Sequence, residues 1–324
     1  MSLEDGVHSS ERGVRVRPLL ADDLGSADRI LRLAFGTFRG LPDPASAFGD
    51  RDYVRTRFRA APDCAWAAEL DGNVVGSVFA ARWGSFGFLG PLTVHPDLWD
   101  RGIASQLLQP VLESFERWGV RQAGLFTLAS SPKHIGLYQS HGFWPGSLTV
   151  VAAKPIGANA NAPYTLVSGE TADGDATLLD DVRELTDAVF PGLDLEREIV
   201  AAATQQIGDT LVLSGDDGLD GVAVCHRGAG SEAGSETCYV KVAAVRPGTG
   251  AADRFERLLD ACEGFAADSG LSRLVAGVNT GRLDAYRRLL SRDFRIEQVG
   301  VAMHRRPGEP TLDAPDRYVI ADLR

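Results

Sequence analysis

Two hydrophobic periods alternate along residues 86–143. Phe86-Gly87-Phe88-Leu89-Gly90-Pro91-Leu92-Thr93-Val94 and Gly124-Leu125-Phe126-Thr127-Leu128 are apolar runs of strand length. Between them, Ile103, Leu107, Val111, Phe115 and Trp118 recur every three or four positions, which predicts a helix with one buried face. Gly119 is a fitting stop for it. A second helix should begin at Pro132, behind Ser130 and Ser131 as capping residues, and carry Tyr138. Upstream, the same reading predicts a strand near Val14-Arg15-Val16-Arg17, helices at about 22–35 and 51–60, and strands near 65–70, 74–82 and 86–94.

The pattern recurs. Val94, Pro96, Leu107, Leu108, Gly119 and Phe143 return as Val245, Pro247, Leu258, Leu259, Gly270 and Phe294, each pair 151 residues apart. A constant offset across a strand end, a helix, its terminating glycine and a later strand predicts a second copy of one fold. That copy should start near Tyr164-Thr165-Leu166-Val167. Helices are expected at about 175–189, 194–206 and 251–268, and strands at about 210–214, 220–226 and 237–245. Lys154-Pro155 through Ala162-Pro163 reads as a linker, so the domains expected are 1–156 and 163–324.

A loop that turns from a strand into a helix leaves the first N–H groups of the helix unpaired, and the helix dipole makes that end attractive to anions. Gly102 removes the Cβ that would keep an anion from the backbone. Trp99-Asp100-Arg101-Gly102-Ile103-Ala104, with Leu137-Tyr138-Gln139-Ser140-His141-Gly142-Phe143, resembles motifs A and B of the GCN5-related N-acetyltransferase (GNAT) family. Trp99 stands where that family usually has Gln or Arg.

The resemblance implies an α/β (α+β) fold class: two tandem GNAT folds, each a mixed, mostly antiparallel twisted sheet, splayed between its fourth and fifth strands and flanked by helices. It implies acetyl-CoA as the coenzyme A thioester. Leu92, Thr93 and Val94 would present backbone N–H groups, and Trp99, Asp100, Arg101, Gly102, Ile103, Ala104 and Ser105 would surround the pyrophosphate. Ser131 stands where many members have a cofactor-contacting Asn. Tyr138 matches the tyrosine that protonates the departing thiolate. The function expected is transfer of an acetyl group to a primary amine of a small molecule or peptide by direct attack on the thioester. The alternative is a non-catalytic acyl-CoA-binding sensor or interaction protein.

Carried through the second loop, the offset puts Asp253 opposite Gly102, Phe255 opposite Ala104 and Leu289 opposite Tyr138, so the second copy is expected to bind no coenzyme A. Arg246-Pro247-Gly248-Thr249-Gly250 is the competing possibility of a shifted phosphate loop. The fourth strand holds no acidic residue, leaving Glu69, His134, Asp43, Asp50 and Asp52 as candidates for the general base. The acceptor pocket is expected between the loop 35–43 and the hairpin near Trp83 and Phe86, with Trp144 closing one side.

Composition narrows the function. At 324 residues and 44% hydrophobic content the chain can fill more than one core. A net charge of -11 argues against nucleic-acid binding. No apolar run is long enough to span a membrane, and the polar start resembles no signal peptide, so a cytoplasmic location is expected. Cys64, Cys225, Cys238 and Cys262 lack metal-site spacing; reduced, buried thiols and no metal are expected. A monomer built as a pseudo-dimer and a homodimer are both compatible with the chain.

Overall fold

The computed structural model describes residues 13–157, 163–167, 176–305 and 311–324. Half of the expected linker (158–162) and the first residue of the helix expected at 175–189 lie outside them.

The first half runs β1 (Arg15–Pro18), α1 (Leu24–Arg39), α2 (Tyr53–Ala60), β2 (Ala65–Leu70), β3 (Asn73–Trp83), β4 (Phe86–Val94), α3 (Ile103–Trp118), β5 (Gln122–Thr127), α4 (Pro132–Ser140) and β6 (Trp144–Pro155). The second runs β7 (Thr165–Leu166), α5 (Ala176–Val189), α6 (Glu196–Thr204), β8 (Gly208–Gly215), β9 (Gly218–Gly228), β10 (Gly234–Val245), α7 (Ala251–Asp268), β11 (Arg273–Asn279), α8 (Leu283–Ser291), β12 (Arg295–Arg305) and β13 (Val319–Ile320). The order of elements in the first half is thus met again up to β12. Lys154 and Pro155, expected in the linker, belong to β6.

All the described strands form one mixed open sheet, in the order β1-β2-β3-β4-β5-β12-β6-β11-β10-β9-β8-β7, with β13 beside β10. Two pairings are parallel, β4 with β5 and β10 with β11; the others are antiparallel. The middle of the order is crossed. β12, late in the chain, lies between β5 and β6, while β6 pairs with β11. Each half therefore completes the other's core. Val301 and Met303 of β12 pack with Leu107, Val111 and Phe143, and Val150 and Ala152 of β6 pack with Phe255, Leu258 and Phe265. Full burial of one such side chain stabilises the fold by about 1.5–3 kcal/mol.

A buried ion cluster also ties the halves. Arg57 on α2 donates to Glu232 at 2.8 and 3.0 Å, and Lys241 on β10 reaches the same carboxylate at 2.7 Å. Burial alone would raise the Glu232 pKa; the two cations hold it far below the usual carboxylate range. The four cysteines are buried free thiols. No helix among the described residues is long and apolar enough to cross a membrane.

Candidate active site

The site begins where β4 leaves β5. Their parallel ladder runs from Phe86–Gln122 to Leu89–Leu125 and stops. Gly90 (φ 147°) and Pro91 then shift the register against β3, after which Leu92, Thr93 and Val94 pair with Val78, Ser77 and Gly76. Among the described residues no strand pairs with the opposite edge of Leu92–Val94, so backbone polar groups there face the gap. The Arg57 guanidinium holds the Gly90 carbonyl from below.

The chain then turns through residues 95–102. Trp99 folds back, its indole N–H donating to the Val94 carbonyl at 2.8 Å. Gly102 sits at the start of α3 with φ 75° and ψ 4°, a conformation glycine adopts without strain, and a Cβ there would meet nothing within 4 Å. The first α3 bond is Gln106 N–H to Gly102 O at 3.2 Å. Helix geometry leaves the N–H groups of Ile103, Ala104 and Ser105 short of intrahelical acceptors. The α3 face is the expected one: Ile103, Leu107, Val111 and Phe115 are at most 2% exposed. Lys133, at the start of α4, pairs with Asp100 at 2.6 Å and lies 5.4 Å from the Trp99 ring centre, tying α4 to the loop.

A cavity of about 430 Å³ occupies this gap, of a size that suits a small-molecule ligand. Leu92, Thr93, Val94, Trp99, Asp100, Gly102, Ile103, Ala104, Ser105 and Tyr138 all line it. Arg101 and Ser131 are not on its wall. Ser131 instead caps α4, accepting from the His134 N–H at 3.3 Å. Tyr138 packs edge-on against Phe143, and burial pushes its phenol up to about 12, so it holds its proton at neutral pH.

The candidate bases separate clearly. Glu69 is paired with Arg17 at 2.7 Å, Asp43 and Asp52 cap helical turns, and Asp50 accepts from Ser235 across the halves. His134 alone of the five lines the cavity. It lies against Phe38, ring centres 4.9 Å apart; burial and then the neighbouring Lys133 charge lower its pKa, keeping the imidazole neutral at neutral pH.

The acceptor wall differs from the expected one. Residues 35–39 are the last turn of α1, not loop, and bring Phe35, Phe38 and Arg39 to the cavity. Trp83 and Phe86 are buried instead against α5 and α6, with the Trp83 indole donating to Glu198 at 2.9 Å. Trp144 is 61% exposed at the start of β6 and lies off the cavity. The wall is completed by Phe48, Arg51 and Tyr53 and by Gln298, Leu323 and Arg324 from the second half. The last group could not be found from sequence, since only the tertiary fold brings it there; the first lies just beyond the expected segment 35–43.

The corresponding crossing in the second half is filled. β10 and β11 pair from Thr237–Arg273 to Val240–Ala276, and beyond that point β13 pairs with β10 at Ala243–Ile320 and Ala244–Val319. These β10 residues stand 151 positions after Leu92 and Thr93. The fixed offset fails in the loop, however. The glycine that starts α7 is Gly250 (φ 80°, ψ 2°), 148 residues after Gly102, so Asp253 lies in the first turn of the helix and does not replace the glycine. In the 246–250 turn Gly250 shares the left-handed form of Gly102, and Arg254 lies against the turn, donating to the Thr249 carbonyl at 2.8 Å while paired with Asp220 at 2.7 Å.

Comparisons with known proteins agree with this geometry. Residues 28–143 match the model described as the acetyltransferase (GNAT) family. No curated protein matches the chain. Among solved structures, a putative acetyltransferase from Pyrococcus horikoshii superposes with TM-score 0.67 at 16% identity, over 99% of this chain and 98% of the other. A GCN5-related N-acetyltransferase from Sphaerobacter thermophilus does so with TM-score 0.59 at 17% identity, over 94% and 99%. At these identities the likeness is one of fold, and it extends over both halves. The segment that carries the splayed strand, the Gly102 loop and Tyr138 matches the acetyltransferase (GNAT) family.

Proposed function

We propose that the protein is an acetyl-CoA-dependent N-acetyltransferase with one active site, in the first of two related copies divided at about residues 156–163. The observation that carries this reading is the coincidence of three features on one cavity: the edge of Leu92–Val94 that no strand covers, the left-handed Gly102 at the start of α3, and the protonated Tyr138.

Acetyl-CoA, when bound, supplies a thioester carbonyl open to attack by an amine. The N–H groups of residues 103–105 and the positive end of α3 suit a pyrophosphate, and Lys133 adds a cation beside them. The N–H groups along Leu92–Val94 suit the pantetheine amides and the carbonyl oxygen that gains charge. Tyr138 keeps a proton available for a departing thiolate. His134 is neutral and on the cavity wall, so it can take the proton the amine loses. The cavity is apolar along Phe35, Phe38 and Phe126, which favours the neutral amine over the ammonium.

The test is acetyl-CoA titration by calorimetry on the intact protein and two variants. One site per chain is expected. Gly102→Asp should weaken binding by about 100-fold or more, because it sets a carboxylate against the phosphates and desolvated like charges cost at least about 3 kcal/mol. Tyr138→Phe should keep the affinity and lower the rate of acetyl transfer about 100-fold, the usual scale of a lost general acid. A Gly102→Asp protein that binds normally would remove the loop from the cofactor site. Normal turnover in Tyr138→Phe would remove the acid role, and binding without any amine-dependent release of CoA would favour the sensor.

A further inference from the structure

Arg39, Phe48 and Arg51 form a shared wall between the cavity and an adjoining recess bounded by residues 233–237 of the second half. Neither guanidinium makes an ion pair among the described residues. Arg39 reaches Gln298 Oε1 at 3.5 Å and stacks 5.5 Å from the Phe48 ring centre; Arg51 donates to the Ala233 carbonyl at 3.1 Å. Glu236 lines the recess rather than the cavity, and Asp50, beside Arg51, is held lower in pKa by Ser235 and by the Arg51 charge. Asp50 accepts from the Ser235 N–H and hydroxyl, Arg273 takes Glu297, and Asp322 pairs with Arg324 at 2.9 Å. On the cavity wall the one side-chain carboxylate is Asp100, at the loop, where Lys133 holds it. On the cavity side neither guanidinium shares its stretch of wall with a side-chain carboxylate, an arrangement that suits an external anion. The electrostatics of Arg39 point the same way: burial lowers its pKa, Tyr53 opposes this, and the charges of Arg324 and Arg51 add to the lowering, an unfavourable state that a bound anion relieves.

We propose that the acceptor is a primary amine that also carries an anionic group, carboxylate or phosphate, with the anion held by Arg39 and Arg51 and the amine directed along the apolar wall toward the thioester. This rests on the acetyltransferase reading of the same cavity. Guanidinium forks suit either anion in bidentate geometry, while the aromatic stretch of Phe35, Phe38 and Phe48 fits the carbon chain between the two ends. The predicted selectivity is against cationic acceptors such as polyamines, whose second ammonium would meet like charge at this wall.

The experiment titrates the acetyl-CoA-loaded protein with three straight-chain series of equal length: ω-aminocarboxylates, ω-aminoalkyl phosphates and n-alkylamines. One anionic series should bind at least about 10-fold tighter than the alkylamines, as charge-assisted bidentate pairs do, and whichever it is identifies the anion. In Arg39→Gln and Arg51→Gln that preference should shrink to within about 2-fold, with acetyl-CoA affinity unchanged and with KM for the anionic acceptor rising more than kcat falls. Arg51→Lys should recover part of it. Alkylamines binding as tightly as the anionic series, no binding by any series, or a preference that survives both substitutions would overturn the proposal. Acetyl-CoA binding is measured first on the same samples, so a failure there is seen separately and sinks the acetyltransferase reading along with this one.

Discussion

The two strand-to-helix crossings, β4 to α3 and β10 to α7, share a parallel ladder that ends early, a glycine at φ 75° or 80° before the helix, and the same buried leucine pair one or two turns in. They differ in what fills the gap. At β4 it is open cavity; at β10 it is β13, residues of the same chain hydrogen-bonded where the first crossing leaves backbone exposed. A backbone edge in a protein interior needs partners. One crossing finds them in another strand; at the other no strand supplies them and Trp99 takes only the Val94 carbonyl, which is a sharper distinction than any single side chain in the two loops provides.

The largest effect should come from releasing that internal occupant. Arg282 is 1% exposed and donates to the carbonyls of Val319 at 3.1 Å and Ala321 at 3.2 Å, while pairing with Asp313 at 2.8 Å. Burial would raise the Asp313 pKa, but Arg282 and His304 bring it down to about 2, so the carboxylate is charged wherever the protein is folded near neutrality. Arg282→Met leaves that charge to His304 alone and frees the carbonyls of Val319, Ala321 and Leu312, the last now held at 3.1 Å; a loss of about 3 kcal/mol in urea unfolding is expected. Amide exchange should quicken at Val319 and Ile320 before it does in β4. Unchanged stability would mean that β13 is held by packing alone.

A smaller effect tests the wall between the halves. His226 on β9 is buried beside Glu232 and Lys241, and neither ring nitrogen has a hydrogen-bond partner among the described residues. Burial lowers its pKa to about 4, against the opposing pull of Glu232 and Glu198, while Lys241 and Arg57 reinforce the shift. An unfolded histidine titrates at about 6.5. Between those values the unfolded chain binds more protons, so His226 makes stability fall as pH drops from about 6.5 toward 4, by about 3 kcal/mol at the limit. Above 6.5 its contribution is constant. His226→Asn should flatten that part of the stability–pH curve; an equally steep curve would put the sensitivity in other groups.

How much of this was legible follows from how local each feature is. The α3 face, the Gly119 stop and the Ser131 cap depend on residues within a few positions of each other, and the periodicity reports them directly. The crossing of β6 and β12 does not show in any local pattern, because two similar apolar strands compete for the edge of β5 and only the packed cores decide between them. For the same reason Trp83 and Phe86, apolar and near the site in sequence, are taken up by α5 and α6 of the second half. The loop comparison failed for a simpler cause. α7 begins three residues early relative to α3, so a fixed offset that serves Val245, Leu258 and Gly270 misplaces the glycine between them. Arg39 and Arg51 lay in plain view but became a pair only when the cavity brought them together with Arg324.

The smallest effect concerns the residue that most distinguishes the open loop from a site optimised for phosphate. Asp100 lines the cavity at φ 64°, a backbone state that Asn adopts at least as readily, so Asp100→Asn should not strain the turn. Its pair with Lys133 is 78% and 54% exposed on the two sides, which limits what the bridge contributes to stability. What the substitution changes is the field: the Lys133 ammonium, now shared with a carboxylate, becomes available to a phosphate together with the N-terminus of α3. Acetyl-CoA should bind about 3-fold tighter, with a steeper loss of affinity as salt is added, since one more cation faces the ligand. Weaker binding would reverse this account of Asp100. It would mean that the carboxylate places Lys133 over Trp99 and so shapes the loop, and that the open crossing depends on an ion pair in addition to the backbone geometry it shares with the filled one.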